Sequence, residues 1–291
     1  MGRKCGTARA GREAPCGGPG PVAASLLRRE NAQLIGPDDI EAAASRLGGH
    51  VRHTPVLRLA PGELAIAAPL ALKLECLQHT GSFKPRGAFN RMLTTPLPRA
   101  GVIAASGGNH AAAVAYAART LGVRAEIFVP DATPDAKLAR IAQYGADLVR
   151  NGRAYSDALR ASRERRDATG ALEVHAYDDR MVIAGQGTVG REFEQDAPDL
   201  THLCVATGGG GLIGGIAAWY AGRVELISVE PAGCPALHDA LAADCPVAAT
   251  ATGIAADSLG AREVGSLVFP IVRDRVARAV LVSDAAILAA R

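Results

Sequence analysis

Lys84 stands in Ser82-Phe83-Lys84-Pro85-Arg86-Gly87, just inside a predicted helix N-terminus. The helix dipole disfavours a cation there and lowers the amine's pKa. A neutral amine can form an imine with a carbonyl and later accept a proton. Flanking Ser82, Phe83 and Gly87 allow close approach of a planar ring. Taken alone, a lysine is more often a solvated surface residue. A second cluster, Ser106-Gly107-Gly108-Asn109-His110, gathers a hydroxyl, an amide and backbone N–H groups at another predicted helix start. Such groups suit a carboxylate or a phenolic oxygen, although Ser or Asn there can also simply cap the helix. His110 reads as a helix-start residue packed near the site rather than as a base or metal ligand. A third feature, Gly208-Gly209-Gly210-Gly211, lies between a predicted strand and helix. Consecutive glycines can turn their N–H groups into one concavity and so hold a phosphate without side-chain charge. A tight turn is the plainer alternative.

The glycine run also satisfies G-x-G-x-x-G from Gly209 to Gly214, and Glu230 ends the next predicted strand. That pattern fits a dinucleotide-binding oxidoreductase, but it leaves Lys84 and the Ser106–His110 cluster without a role. An activated amine, a small polar cluster and a backbone phosphate cradle, in that order, are what a pyridoxal phosphate enzyme needs.

These groups must be positioned by an alternation of strands and helices. An acidic first turn at Pro37-Asp38-Asp39-Ile40 opens an amphipathic helix to Leu47. Strands are predicted at Leu70–Glu75, Val102–Ala105, Ala125–Val129, Asp147–Arg150, Leu172–His175, His202–Ala206, Val224–Glu230 and Ala279–Val282. Thr80-Gly81-Ser82 is predicted to cap a helix with Pro85 in its first turn. Further helices are predicted over His110–Leu121, Pro134–Tyr144, Tyr155–Ala168, Val182–Glu194 and Ile213–Tyr220. Ser283-Asp284 caps a last one running to Arg291, which looks cut short. Strands spaced by such helices imply an α/β fold with parallel-rich sheets covered on both faces.

The net charge of +3 comes from the first thirty residues, which carry +4 and leave the remainder at −1. A nearly neutral body points away from nucleic acid or an anionic membrane as partner. Residues 1–30 read as a disordered or spurious extension. Leu203–Gly222 lacks charged side chains and carries two G-x-x-x-G matches. Its four glycines argue against a membrane helix. Six scattered cysteines without a C-x-x-C pair predict free thiols, a cytoplasmic location and no zinc.

Lys73-Leu74-Glu75, Thr80 to Ala88, Ser106 to His110, Ala184 to Thr188 and the tetraglycine run resemble the serine/threonine dehydratase family, from about Asp38 onward. This is the branch of fold-type II pyridoxal phosphate enzymes that also holds serine racemase. The resemblance implies a two-domain fold. A small mobile domain would span 101–178, and a large cofactor-binding domain 31–100 and 179–291. It implies that Lys84 is the Schiff-base lysine, that Phe83 packs on the cofactor ring and that Asn109 faces the ring hydroxyl oxygen. Gly208, Gly209, Gly210 and Gly211, with Leu212, would hold the phosphate. Ser106, Gly107, Asn109 and His110 would surround the substrate carboxylate.

The implied activity is deamination of L-threonine or L-serine, with loss of water, to 2-oxobutyrate or pyruvate and ammonia. A homo-oligomer acting on a small amino acid is implied as well. Racemases of the family place a serine where this chain has Gly107, which favours elimination over racemisation. The family's cation site would use Glu230 and a backbone carbonyl at Cys234, but its second acid is replaced by Ala236, so no metal is assigned. Family members continue past the position of Arg291 through strands that carry the partner of the pyridine nitrogen. A truncated remnant that binds cofactor without turnover is therefore the non-enzymatic alternative.

Overall fold

The structure, a computed structural model, describes residues 34–290. The expectation for residues 1–30 lies outside them. From Ile35 onward the chain is one compact unit. Helix α1 (Pro37–Leu47) begins as its sequence predicts, with Pro37 in its first turn and the Asp39 carboxylate accepting from the Gly36 N–H at 3.0 Å. Its apolar stripe of Ile40, Ala43 and Leu47 is buried.

Strands β1 (Val56–Leu59) and β2 (Leu70–Lys73) form an antiparallel ribbon. Helix α2 (Lys84–Leu93) follows. Next come β3 (Val102–Ala105), α3 (Asn109–Thr120), β4 (Ala125–Val129), α4 (Asp135–Ala142), β5 (Asp147–Arg150), α5 (Tyr155–Thr169) and β6 (Leu172–Glu173). These strands make a parallel sheet in the order β5-β4-β3-β6. Helix α6 (Arg180–Asp196) leads to β7 (His202–Ala206), α7 (Gly211–Tyr220) and β8 (Glu225–Pro231). The short helices α8 (Ala236–Ala243), α9 (Ala256–Leu259) and α10 (Phe269–Val272) precede β9 (Val276–Val282) and α11 (Asp284–Ala289). The second parallel sheet runs β7-β8-β9.

Two cores result. One gathers Ile40, Ile183, Val205, Ile213, Leu226 and Val268 around α1, α6, α7 and the second sheet. The other gathers Phe89, Met92, Val102, Val114, Ile127 and Ile141 around α2, α3, α4 and the first sheet. Helix α6 joins them, because a Cβ at Gly185 would lie 2.5 Å from the Arg86 carbonyl oxygen, so only glycine lets α6 approach the lysine helix.

Several expectations are corrected. Thr80-Gly81-Ser82 does not cap α2: His79–Gly81 is a separate 3-10 turn, and Phe83 is the N-cap residue, with no side-chain cap bond. Ser106 and Asn109 do not cap α3, whose N-cap is Gly108; the Ser106 hydroxyl instead accepts from the Gly108 N–H at 3.2 Å. The strand predicted to begin at Ala279 begins at Val276, because pairing with β8 recruits the preceding residues. Cys76, Cys204 and Cys234 are free thiols, as the sequence predicts.

Candidate active site

Lys84 is the first residue of α2. Its Nζ donates to the Ala176 carbonyl at 2.7 Å and lies 5.1 Å from the Phe83 ring centroid. Among the described residues no carboxylate pairs with it. Burial pushes the amine down to about 8. The direction is the one its place at a helix start predicts, with burial as a cause. Part of the side chain stays accessible, as an amine that must meet a carbonyl requires.

The Ser106 cluster sits where β3 gives way to α3. Ser106 N–H still donates to the Phe128 carbonyl at 3.0 Å, as an extension of the sheet. Beyond it, the N–H groups of Gly107, Asn109 and His110 have no protein acceptor among the described residues. Asn109 is exposed, whereas His110 is buried with its Nε2 2.8 Å from the Val174 carbonyl. Burial, and then the nearby Lys84 charge, push the His110 imidazole down to about 3 against the pull of the Val174 bond. His110 is thus neutral at physiological pH and donates from Nε2 to Val174, in keeping with a packed helix-start residue.

The glycine loop follows β7 directly. Thr207 N–H makes the last ladder bond, to Val229 at 3.0 Å, and the next backbone donor with a protein acceptor is Gly214, bonded to Gly210 at 2.8 Å. The N–H groups from Gly208 to Ile213 are therefore all unspent among the described residues. Gly210 has φ +87, a conformation that side chains resist, and a Cβ on Gly209 would lie 2.6 Å from the Tyr177 ring. Leu212 is half-buried in the first turn of α7.

One segment, which sequence reasoning missed, brings the three motifs together. Val174 accepts from His110, Ala176 accepts from Lys84, and the Tyr177 ring packs on Gly209. Its own shape is fixed by His175 Nδ1, which accepts from the Asp178 N–H at 2.8 Å. Asp178 then accepts from the N–H groups of Ser266 and Leu267 at 3.0 and 2.8 Å, while Asp179 caps α6. The available signal was the His-x-Tyr-Asp-Asp run between a short strand and a long helix.

Glu230 is not free for a cation or a ribose. It is fully buried, and its two oxygens accept from the Leu237 and His238 N–H groups at 2.7 and 2.8 Å, at the start of α8. Burial raises its carboxyl pKa against those two bonds. Cys234 is buried, with Sγ 3.4 Å from the Thr252 carbonyl. Among the described residues, no group of three His, Cys, Asp or Glu side chains is gathered to hold a metal.

A phosphorylated aldehyde fits these residues. The Lys84 amine has no acid partner, the cradle of N–H groups has no protein acceptor, and the hydroxyls of Thr80 and Ser82 are buried without partners beside the lysine. Such unspent buried donors are costly unless a ligand uses them. Fold and site together define the class: an α/β protein with a lysine-anchored site for a phosphate-bearing carbonyl cofactor.

Residues 47–291 match the family described as pyridoxal-phosphate dependent enzyme, and the chain belongs to that family. The L-threonine ammonia-lyase of Geobacter sulfurreducens is 40% identical over 250 residues, which cover 84% of this chain and 62% of that protein. The chain thus spans less than two thirds of that relative's length. The maize serine racemase structure superposes with a TM-score of 0.85 at 33% identity, covering 89% of this chain and 80% of the other. The T.th. threonine deaminase structure gives 0.83 at 35% identity, covering 88% and 84%. The family membership removes the dinucleotide-binding reading. The fold is that of the fold-type II pyridoxal phosphate enzymes. No helix among the described residues is long and apolar enough to cross a membrane.

Proposed function

We propose that this chain deaminates L-threonine and L-serine to 2-oxobutyrate and pyruvate, with ammonia as the other product. The observation that carries the reading is the convergence of Lys84, the Ser106–His110 cluster and Gly208–Gly211 on the Val174–Tyr177 segment. Pyridoxal phosphate, when bound, supplies an aldehyde for the substrate amine and a ring that draws electrons from Cα. Gly208, Gly209, Gly210 and Gly211 with Leu212 bind the phosphate through backbone N–H groups. Phe83 would pack on the cofactor ring, and Asn109 would face its hydroxyl oxygen. Ser106, Gly107, Asn109 and His110 orient the substrate carboxylate, the last three through N–H groups that lack protein acceptors. Lys84 Nζ would hold the cofactor's aldehyde carbon and would accept the substrate Cα proton; an amine depressed to about 8 is well matched to that task.

Gly107 has no proton to deliver to the opposite face of Cα, which favours loss of water over inversion. A Cβ at this position would meet Thr133 Cγ2 at 3.1 Å, closer than ordinary packing, so a serine would fit only if the Thr133 side chain shifted. Residues 101–178 are proposed to move as a small domain against the rest, shutting out water during turnover. The three free thiols support a cytoplasmic location. Self-association is supported by the β1–β2 ribbon, where cross-strand neighbours Leu57 and Leu72 are both exposed near Leu64, Ile66 and Leu77.

The test incubates purified protein and pyridoxal phosphate with each amino acid, and measures keto acid, ammonia and D-serine. Keto acid with equal ammonia supports the proposal. D-serine without keto acid would establish the racemase alternative, and neither product would mark a chain that does not turn over.

A further inference from the structure

We propose that Arg140 is a positioning residue that fixes the Asn109 amide and the Thr80 turn ahead of Lys84; this rests on the function proposed above. Arg140 lies on the exposed side of α4, whose buried face is Leu138 and Ile141. Its Nη1 donates to Asn109 Oδ1 at 3.3 Å, and its Nη2 donates to the Thr80 carbonyl. A Cβ built on Gly81 would sit 3.5 Å from the same Nη2, so the guanidinium lies directly against this turn. No carboxylate among the described residues pairs with Arg140, so its charge is not spent on a structural ion pair.

Each contact has a chemical consequence. A guanidinium has only donors, so the Asn109 atom that faces it must be the oxygen. The Asn109 NH₂ group is then left as a further donor at the helix start where the N–H groups of Gly107, Asn109 and His110 lack protein acceptors among the described residues. Such a set of donors suits a carboxylate and offers nothing to a cation. At the other contact, Thr80 is β-branched yet held at φ +62, a conformation that persists only when its surroundings enforce it. The Arg140 bond to its carbonyl is one such restraint. The restrained turn carries the unpartnered Thr80 hydroxyl, and the unpartnered Ser82 hydroxyl follows it in the chain ahead of Lys84.

The test uses the holoprotein and L-alanine, which carries the amine and carboxylate of the substrates but no leaving group. Titration is followed by the visible absorption of the cofactor. In Arg140→Ala, the Kd for L-alanine should rise by about tenfold, the worth of one lost hydrogen bond to a charged group. The Lys84-dependent band without L-alanine should still form, because Arg140 does not contact Lys84. With L-threonine the loss should fall on KM, and Arg140→Lys should recover part of it. Lys137→Ala, on the same helix but bonded to Asp257 instead, serves as control for a general loosening of α4. A Kd within about twofold of wild type, or an equal loss in Lys137→Ala, overturns the proposal. A wild-type protein without a Lys84-dependent band would sink the functional reading and this inference together; a normal band with unchanged Kd sinks this inference alone.

Discussion

Replacing Arg86 with methionine removes one buried charge from the first turn of the lysine helix while keeping most of the side-chain volume. Arg86 is 0% exposed. Its Nε and Nη2 meet the two oxygens of Glu75 at 2.8 and 2.7 Å, and its Nη1 and Nη2 meet those of Glu192 at 2.7 and 2.8 Å. Lys73 offers Glu192 a second cation at 3.1 Å, whereas Arg86 is the only cation paired with Glu75 among the described residues. Breaking a buried pair from one side costs about 3–5 kcal/mol, because the other charge stays buried. For a chain of this size that lowers Tm by roughly 6–15 °C. The loss should depend on pH. Burial pushes the Glu192 carboxyl up, but its bonds to Arg86 and the charges of Arg86 and Lys73 outweigh burial and hold it below the usual range. A depressed carboxyl contributes stability above its unfolded pKa, about 4.3, and loses it as pH falls through the folded value. Without Arg86, burial is less opposed and Glu192 takes up its proton at higher pH. The gap between wild type and Arg86→Met should be widest near pH 7 and narrow toward pH 4. Urea unfolding across that range measures it. A gap below about 1 kcal/mol at pH 7, or one that acid leaves unchanged, would refute the reasoning.

Two further outcomes follow from the site. Burial holds the folded Lys84 amine near 8 while the unfolded one lies at 10.5, so the unfolded chain binds the extra proton between those values. Cofactor-free wild type should therefore gain stability as pH rises from 8 to 10.5 and Lys84→Met should not; parallel urea-unfolding curves would contradict this. Gly209→Ala forces a methyl to within 2.6 Å of the Tyr177 ring, next to the carbonyl that holds Lys84. Overpacking of about 1–3 kcal/mol should weaken pyridoxal phosphate binding by about tenfold or more in a fluorescence titration, and wild-type affinity in the variant would exclude the cradle.

The α/β alternation and the three chemical motifs were legible in the sequence, because strand runs and glycine stops recur at each βα unit. The β7–loop–α7 unit came out nearly as predicted, since its strand is a short apolar run and four consecutive glycines favour a loop between strand and helix. Strand β1 was not legible: Val56–Leu59 is too short for its period to stand out, and only pairing with β2 makes it a strand. The helices between β8 and β9 were also missed, as two of them are single turns stabilised by tertiary contacts. The part played by Glu230 was not legible, because a strand-end acid can signal a ligand and α8, which takes up both of its oxygens, was not foreseen. The Val174–Tyr177 segment was invisible for another reason. Val174 and Ala176 contribute carbonyl oxygens, which any residue type could provide.

Reductive trapping reaches the central claim most directly. The holoprotein is treated with borohydride, digested with trypsin and mapped by mass spectrometry. The peptide that contains Lys84 should carry a pyridoxyl group, and Lys84→Ala should carry none. A tag on another lysine, or no tag on protein shown to bind pyridoxal phosphate, would contradict the account.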